Sequence, residues 1–103
     1  MTTEVKILRK MREILTPPGA WIQRAYAKKA NGEACFPSNP EAICFCLRGA
    51  LHRAQMPFPE YYIHLGTDPM YDLMKVDESW NDQFGRTQEE VLAKIDETIA
   101  RLE

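Results

Sequence analysis

Thr87 stands three residues before Glu90, and an apolar stripe follows the pair. Together they form a capping box. The threonine hydroxyl accepts from the Glu90 N–H while the glutamate carboxylate reaches back to the Thr87 N–H. Glu89 and Glu90 also bring negative charge to the positive end of the helix dipole. Val91, Leu92, Ile95, Ile99 and Leu102 follow the i, i+3, i+4 spacing of one buried face, and Lys94, Asp96, Glu97 and Arg101 fall elsewhere. The pattern predicts a helix over 87–102 that docks on a core. Just upstream, Ser79, Trp80, Asn81 and Asp82 read as a loop that turns at Gly85.

Residues 3–15 carry the same periodicity. Ile7, Leu8, Met11, Ile14 and Leu15 share a face, with Thr2 or Thr3 as cap. Pro17 and Pro18 end the helix and Gly19 supplies the exit. Residues 20–36 read as a β-hairpin. Trp21, Ile22 and Tyr26 suit strands, Asn31-Gly32 is a tight-turn signal, and residues 33–36 are the return arm. Ser38-Asn39-Pro40 reads as the start of a central helix with Ile43, Leu47, Ala50, Leu51 and Ala54 as its buried stripe. Arg48, His52 and Phe45 are then expected to point away. Gly49 and Ala50 suggest a close contact with another element. Met56-Pro57-Phe58-Pro59 breaks that helix. A short helix is expected over 60–65, and another follows a cap at Thr67 or Asp68, with Pro69 at its first position and Met70, Leu73, Met74 and Val76 as apolar contacts.

The expected fold is therefore a compact, mostly helical α+β domain of three main helices, shorter helices and one small β-hairpin. A chain of 103 residues is sized for a single domain, 1–103. No apolar run approaches the ~20 residues of a membrane span. The N-terminal sequence lacks the basic-then-apolar layout of a secretion signal. A cytoplasmic location is expected. Three cysteines, an odd number, argue against a disulfide framework. Cys35, Cys44, Cys46 and His52 are the zinc candidates. If Cys44 and Cys46 lie on one helix their thiolates diverge, so no metal is expected, and no cofactor.

Charge is unevenly spread. Residues 1–55 hold nine Lys/Arg and four Asp/Glu, and residues 56–103 hold four and eleven. Either the two halves pack with complementary surfaces, which is the favoured reading, or each offers a charged face to a partner.

Trp80-Asn81-Asp82, Gly85-Arg86-Thr87 and Glu90-Val91 together resemble the C-terminal signature of a small uncharacterised family found in bacterial and bacteriophage genomes. Cys46-Leu47-Arg48-Gly49-Ala50-Leu51 resembles a second patch of that family, and Trp21 with Gly32 a third. Gln83-Phe84 departs from the family pattern, in which a proline often precedes the glycine. The resemblance implies a domain of unknown function and a phage-derived setting. It implies no substrate or catalytic residue.

Chemical candidates are few. Cys35, Cys44 and Cys46 are the available thiols, with His52 and His64 as bases, but Cys46 and His52 cannot pair along one helix. No phosphate loop, nucleophile elbow or paired His-Glu motif is present. The favoured reading is non-enzymatic, a protein-interaction or regulatory module. Its acidic half, with Asp68, Asp72, Asp77 and Glu78, would address a basic partner protein. One alternative is a nucleic-acid module using Arg24, Lys28 and Lys29 with Tyr26, supported by Arg48 and Arg53. Another is a ligand or enzymatic site around Trp80, Asn81, Asp82 and Arg86. The plainer view of that last cluster is structural: a largely buried Trp80 anchors the loop, Asn81 and Asp82 hold its backbone, and Arg86 braces Asp82.

Overall fold

The computed structural model describes residues 2–61 and 69–103. Helix α1 is Thr3–Leu15, opened by the Thr2 hydroxyl accepting from the Val5 N–H. It buries Val5, Ile7, Leu8, Met11 and Leu15. After it come strands β1 (Ala27–Lys29) and β2 (Ala42–Phe45), then α2 (Leu47–Gln55), α3 (Pro69–Met74), the one-turn helix α4 (Glu78–Asn81) and α5 (Gln88–Leu102). Helix α1 lies against both α2 and α5, and α3 packs on α5. Leu47, Leu51, Met70, Met74, Val91 and Ile95 close the core around it. The radius of gyration, 12.8 Å, is that of a compact chain of this length. The α+β domain with a small antiparallel sheet is as expected.

The sheet is built from other residues than the sequence suggests. The Asn31-Gly32 turn forms: Asn31 Oδ1 accepts from the Glu33 N–H, and the Lys29 N–H donates to the Glu33 carbonyl. The return arm then contributes only a bridge between Lys28 and Ala34. Pro37 has no N–H to continue the ladder. β1 pairs instead with β2, Ala27 opposite Phe45 and Lys28 opposite Cys44.

This displaces the start of the central helix. Ser38-Asn39-Pro40 is a turn in which Asn39 Oδ1 accepts from the Glu41 N–H, and the Ala42 N–H donates to the Asn39 carbonyl. Ala42–Phe45 then extends as a strand, which the β-branched Ile43 and aromatic Phe45 suit. Phe45 is 4% exposed in the core, and Ile43, expected on the buried stripe, is 58% exposed. Helix α2 begins only after Cys46, whose Sγ accepts from the Gly49 N–H at 3.3 Å. The helical geometry used to set zinc aside therefore does not hold, because Cys44 is on a strand and Cys46 is a cap. Among the described residues, no group of three or more His, Cys, Asp or Glu is placed to hold a metal ion.

Pro69 opens α3, and Met70, Leu73, Met74 and Val76 are buried as expected. Most of the helix expected over 60–65, and the caps Thr67 and Asp68, lie outside the described residues. Both capping-box bonds of Thr87 and Glu90 are present in α5. Among the described residues, ion pairs join the halves of the chain: Arg9 with Glu103, Arg12 with Asp96 at 2.6 Å and Arg48 with Glu78 at 2.5 Å. Part of the charge asymmetry is thus internal complementarity. No described helix is long and apolar enough to cross a membrane.

Candidate binding cleft

Three stretches of chain meet beside the sheet: residues 21–26, the N-terminus of α2, and the turn from Asp77 to Asp82. Asn81, 2% exposed, joins them. Its Oδ1 accepts from Trp21 Nε1 at 2.7 Å and from the Leu47 N–H at 2.9 Å. Its Nδ2 donates to the Ile22 carbonyl at 3.3 Å and to Asp82 Oδ1 at 2.9 Å. The amide thus uses two acceptor and two donor positions, its full complement. Asp82 also accepts from the Arg24 N–H at 2.9 Å. That bond pins Arg24 in the left-handed region, at φ 64°, where non-glycine residues are uncommon.

The α4 turn exists because Asp77 caps it, its carboxylate accepting from the N–H groups of Ser79 and Trp80. The Ser79 hydroxyl also donates to that carboxylate, which holds Asp77 below the usual carboxylate range. A one-turn helix sends positions three and four apart to the same side. Glu78, Asn81 and Asp82 accordingly face the junction, whereas Trp80 faces the other way. Glu78 pairs with Arg48 at 2.5 Å and accepts from the Tyr26 hydroxyl at 3.2 Å. The Glu78 charge pushes the Tyr26 phenol above its ordinary pKa, so it stays a donor.

Trp80 is half-buried rather than largely buried. The Arg86 guanidinium lies 3.9 Å from its ring centroid and donates through Nε to the Trp80 carbonyl at 2.9 Å. The expected brace from Arg86 to Asp82 gives way to bonds with Gln83 and Glu90. The four residues of the expected polar cluster are therefore divided: Asn81 and Asp82 face the junction, while Trp80 and Arg86 stack on the far side of the turn.

On the junction side is a cleft of about 560 Å³. Arg24, Tyr26, Phe36, Arg48, Glu78 and Asp82 are among its walls, with Cys35, Cys46 and Met70 deeper in a largely apolar lining. Tyr26 is 50% exposed and Phe36 80%. A second cavity of about 270 Å³ adjoins it, sharing Tyr26, Phe36 and Arg48 and reaching Leu51, His52 and Gln55. Burial pushes the Cys46 thiol above its ordinary pKa, against bonds from the Gly49 and Arg48 N–H groups, which disfavours a thiolate nucleophile.

The other candidates are scattered. Asp72 is exposed on α3, Asp77 is committed to its cap, and Asp68 lies outside the described residues. Lys28 and Lys29 are on β1, away from the cleft lining. Arg53 donates to the Pro37 and Asn39 carbonyls and stacks on Phe45. Two residues, one in the cleft and one in the adjoining cavity, escaped sequence reasoning. Phe36 was assigned to a strand arm. Gln55 carried a legible signal, a polar residue one turn beyond Leu51 on the apolar face of its helix.

A family model for a family of unknown function, DUF6197, matches residues 1–101. The chain belongs to this family. No curated protein and no solved structure matches it. In this DUF6197 member, several residues that carried the resemblance meet in one place. Trp21, Leu47 and Asn81 share hydrogen bonds, and Gly49 lies directly under the Tyr26 carbonyl. Asn81 and Asp82 thus build the wall of the cleft through interactions within the chain.

Proposed function

We propose that the protein is a non-catalytic interaction module that takes an extended peptide segment of a partner protein into the cleft beside Tyr26 and Phe36. One observation carries this reading: two large aromatic side chains stand exposed over a cavity of about 560 Å³ with a largely apolar lining. Exposed aromatics beside a concave apolar site favour binding of an apolar group. Glu78 and Asp82 are engaged by Arg48, Tyr26, Arg24 and Asn81. The exposed Arg24 on the rim suits a carboxylate next to the inserted apolar side chain. A cytoplasmic, bacterial or phage setting belongs to the same proposal and rests on the resemblance alone. The acidic residues Asp72, Asp77 and Glu78 are a weaker basis for binding, since Asp77 caps α4 and Glu78 pairs with Arg48 within the fold.

The test is selection of peptides from a random display library on the immobilised protein. Peptides with an apolar residue beside an acidic one should emerge, and Tyr26→Ser with Phe36→Ser should abolish their binding at unchanged melting temperature. Single-stranded nucleic acid is the competing occupant, because Arg24 and two aromatics can serve a backbone and its bases. Nucleic-acid binding tighter than roughly micromolar at ~150 mM salt, lost in the same variant, would overturn the peptide reading.

A further inference from the structure

Residues 33–36 run back along β1 and are paired on that side alone. The Lys29 N–H donates to the Glu33 carbonyl at 2.9 Å, and the Cys35 N–H to the Ala27 carbonyl at 3.0 Å. In an extended chain, alternate residues turn their N–H and C=O to opposite sides. Glu33 and Cys35 face β1, so Ala34 directs its N–H and C=O away from it, and the Phe36 N–H follows two residues on. Among the described residues, none of these groups has a hydrogen-bond partner. Free edges of this kind are ordinarily blunted by charge or proline. Glu33 and Pro37 flank this one, but Ala34, Cys35 and Phe36 between them carry no charge. Ala34 is exposed, and Ala34, Cys35 and Phe36 all line the larger cleft. Successive side chains of an extended chain point to opposite faces, so consecutive residues border one cavity where it runs along their backbone. We propose that the peptide in the cleft binds by strand addition: it lies along the edge of residues 34–36, exchanges N–H···O=C bonds with Ala34 in both directions, and accepts from the Phe36 N–H.

The spacing of these groups selects an extended peptide. Two residues of strand advance about 6.6 Å, so the donors of Ala34 and Phe36 meet carbonyls two residues apart in an extended partner. A helical segment has its N–H and C=O groups bonded internally and offers no such row. A phosphodiester backbone brings acceptors and no N–H for the Ala34 carbonyl. Main-chain bonds of this kind supply affinity, and alternate side chains supply specificity. The peptide side chain opposite Phe36 stands on the same face as that ring, where an apolar group packs against it. Charge adds the second preference. Glu78 is paired with Arg48 and Asp82 accepts from the Arg24 N–H, whereas no ion pair engages the Arg24 guanidinium among the described residues. An acidic side chain on the peptide complements it. The proposal rests on the reading of the cleft as a peptide site.

The experiment takes the tightest-binding peptide from the display selection and resynthesises it with a single N-methyl group at each backbone amide in turn. Strand addition turns alternate peptide amides toward the arm and the others toward solvent. An N-methyl group facing the arm removes a donor and sets a methyl against it, so binding should weaken about tenfold at alternate amides and hold at those between. On the protein, solvent exchange of the Ala34 and Phe36 amide hydrogens, read by nuclear magnetic resonance, should slow about tenfold at saturation with the unmethylated peptide. Every change is made in the peptide, so the fold of the protein is untouched. If either result is missing while the peptide still moves the Tyr26 and Phe36 signals, strand addition is refuted and the cleft stands. Slowed exchange at Ala34 that grows with protein concentration in the absence of peptide would give the edge to a second copy of this chain and overturn the proposal. A selection that recovers no peptide removes both readings.

Discussion

A β-carbon on Gly49 would stand 1.9 Å from the carbonyl oxygen of Tyr26. That carbonyl accepts from the Cys46 N–H at 3.2 Å, so it cannot retreat without breaking the bond that ties the cleft wall to the start of α2. Gly49→Ala should therefore cost about 2–3 kcal/mol, the upper range for overpacking, despite the higher helix propensity of alanine. Denaturant unfolding measures it. A loss under about 0.5 kcal/mol would mean that the segment around Tyr26 yields freely.

Asn81 should be the most sensitive polar position. Asn81→Ala leaves the Trp21 indole N–H and the Leu47 N–H without their acceptor, at about 1–3 kcal/mol for each buried donor. Asn81→Asp keeps the acceptor but sets a buried carboxylate beside Asp82. Its pKa would rise on folding. The variant should then recover stability as pH falls from neutral into the carboxylate range, and lose it as pH rises through the raised folded value. A pH-independent deficit would show that charge is not the cause.

Trp80→Ala should cost about 2–3 kcal/mol, less than a fully buried tryptophan would, because the ring is half-buried and the Arg86 guanidinium stacks on it. Arg86→Lys keeps the charge but loses the planar stack and the Nε bond to the Trp80 carbonyl. It should reproduce about 1 kcal/mol of that loss. An unchanged melting temperature for Arg86→Lys would remove the stack from the account.

The capping box of α5 should give stability a pH dependence. The Glu90 carboxylate is held below its ordinary pKa, first by the Thr87 N–H and further by the Thr87 hydroxyl and by Arg86. Its contribution is complete above the unfolded glutamate pKa and is lost as pH falls from there through the depressed folded value. Glu90→Gln should flatten this part of the stability profile. Thr87→Ala should cost about 1 kcal/mol at neutral pH through loss of the cap. Parallel stability profiles for Glu90→Gln and the parent chain would remove Glu90 from the box.

Helices α1 and α5 were legible from the residues alone because each carries its own stop and start signals beside its own stripe. The region between residues 20 and 46 was not. The Asn31-Gly32 turn was correctly read, but a turn names only the nearest possible partner strand. Pro37 and the Asx turn at Asn39 hand that role to residues 42–45 instead. Of the candidate site, Asn81, Asp82 and Glu78 were singled out, yet the cleft they wall was hidden. It depends on Tyr26 and Phe36, which lie far from them in the chain.

The sequence by itself determined the mostly helical α+β class, the two long helices, their caps and the absence of a recognisable catalytic motif. These are local properties, set by periodicity and by side chains that satisfy the backbone within three or four residues. Only the tertiary structure decided that Cys46 starts a helix rather than sitting inside one, that Trp80 stacks away from Asn81, and that Tyr26 and Phe36 stand over a cavity. Each of these depends on contacts between segments distant in sequence. The decisive contact, the carbonyl of Tyr26 over Gly49, joins residues 26 and 49 through a fit that no spacing rule encodes.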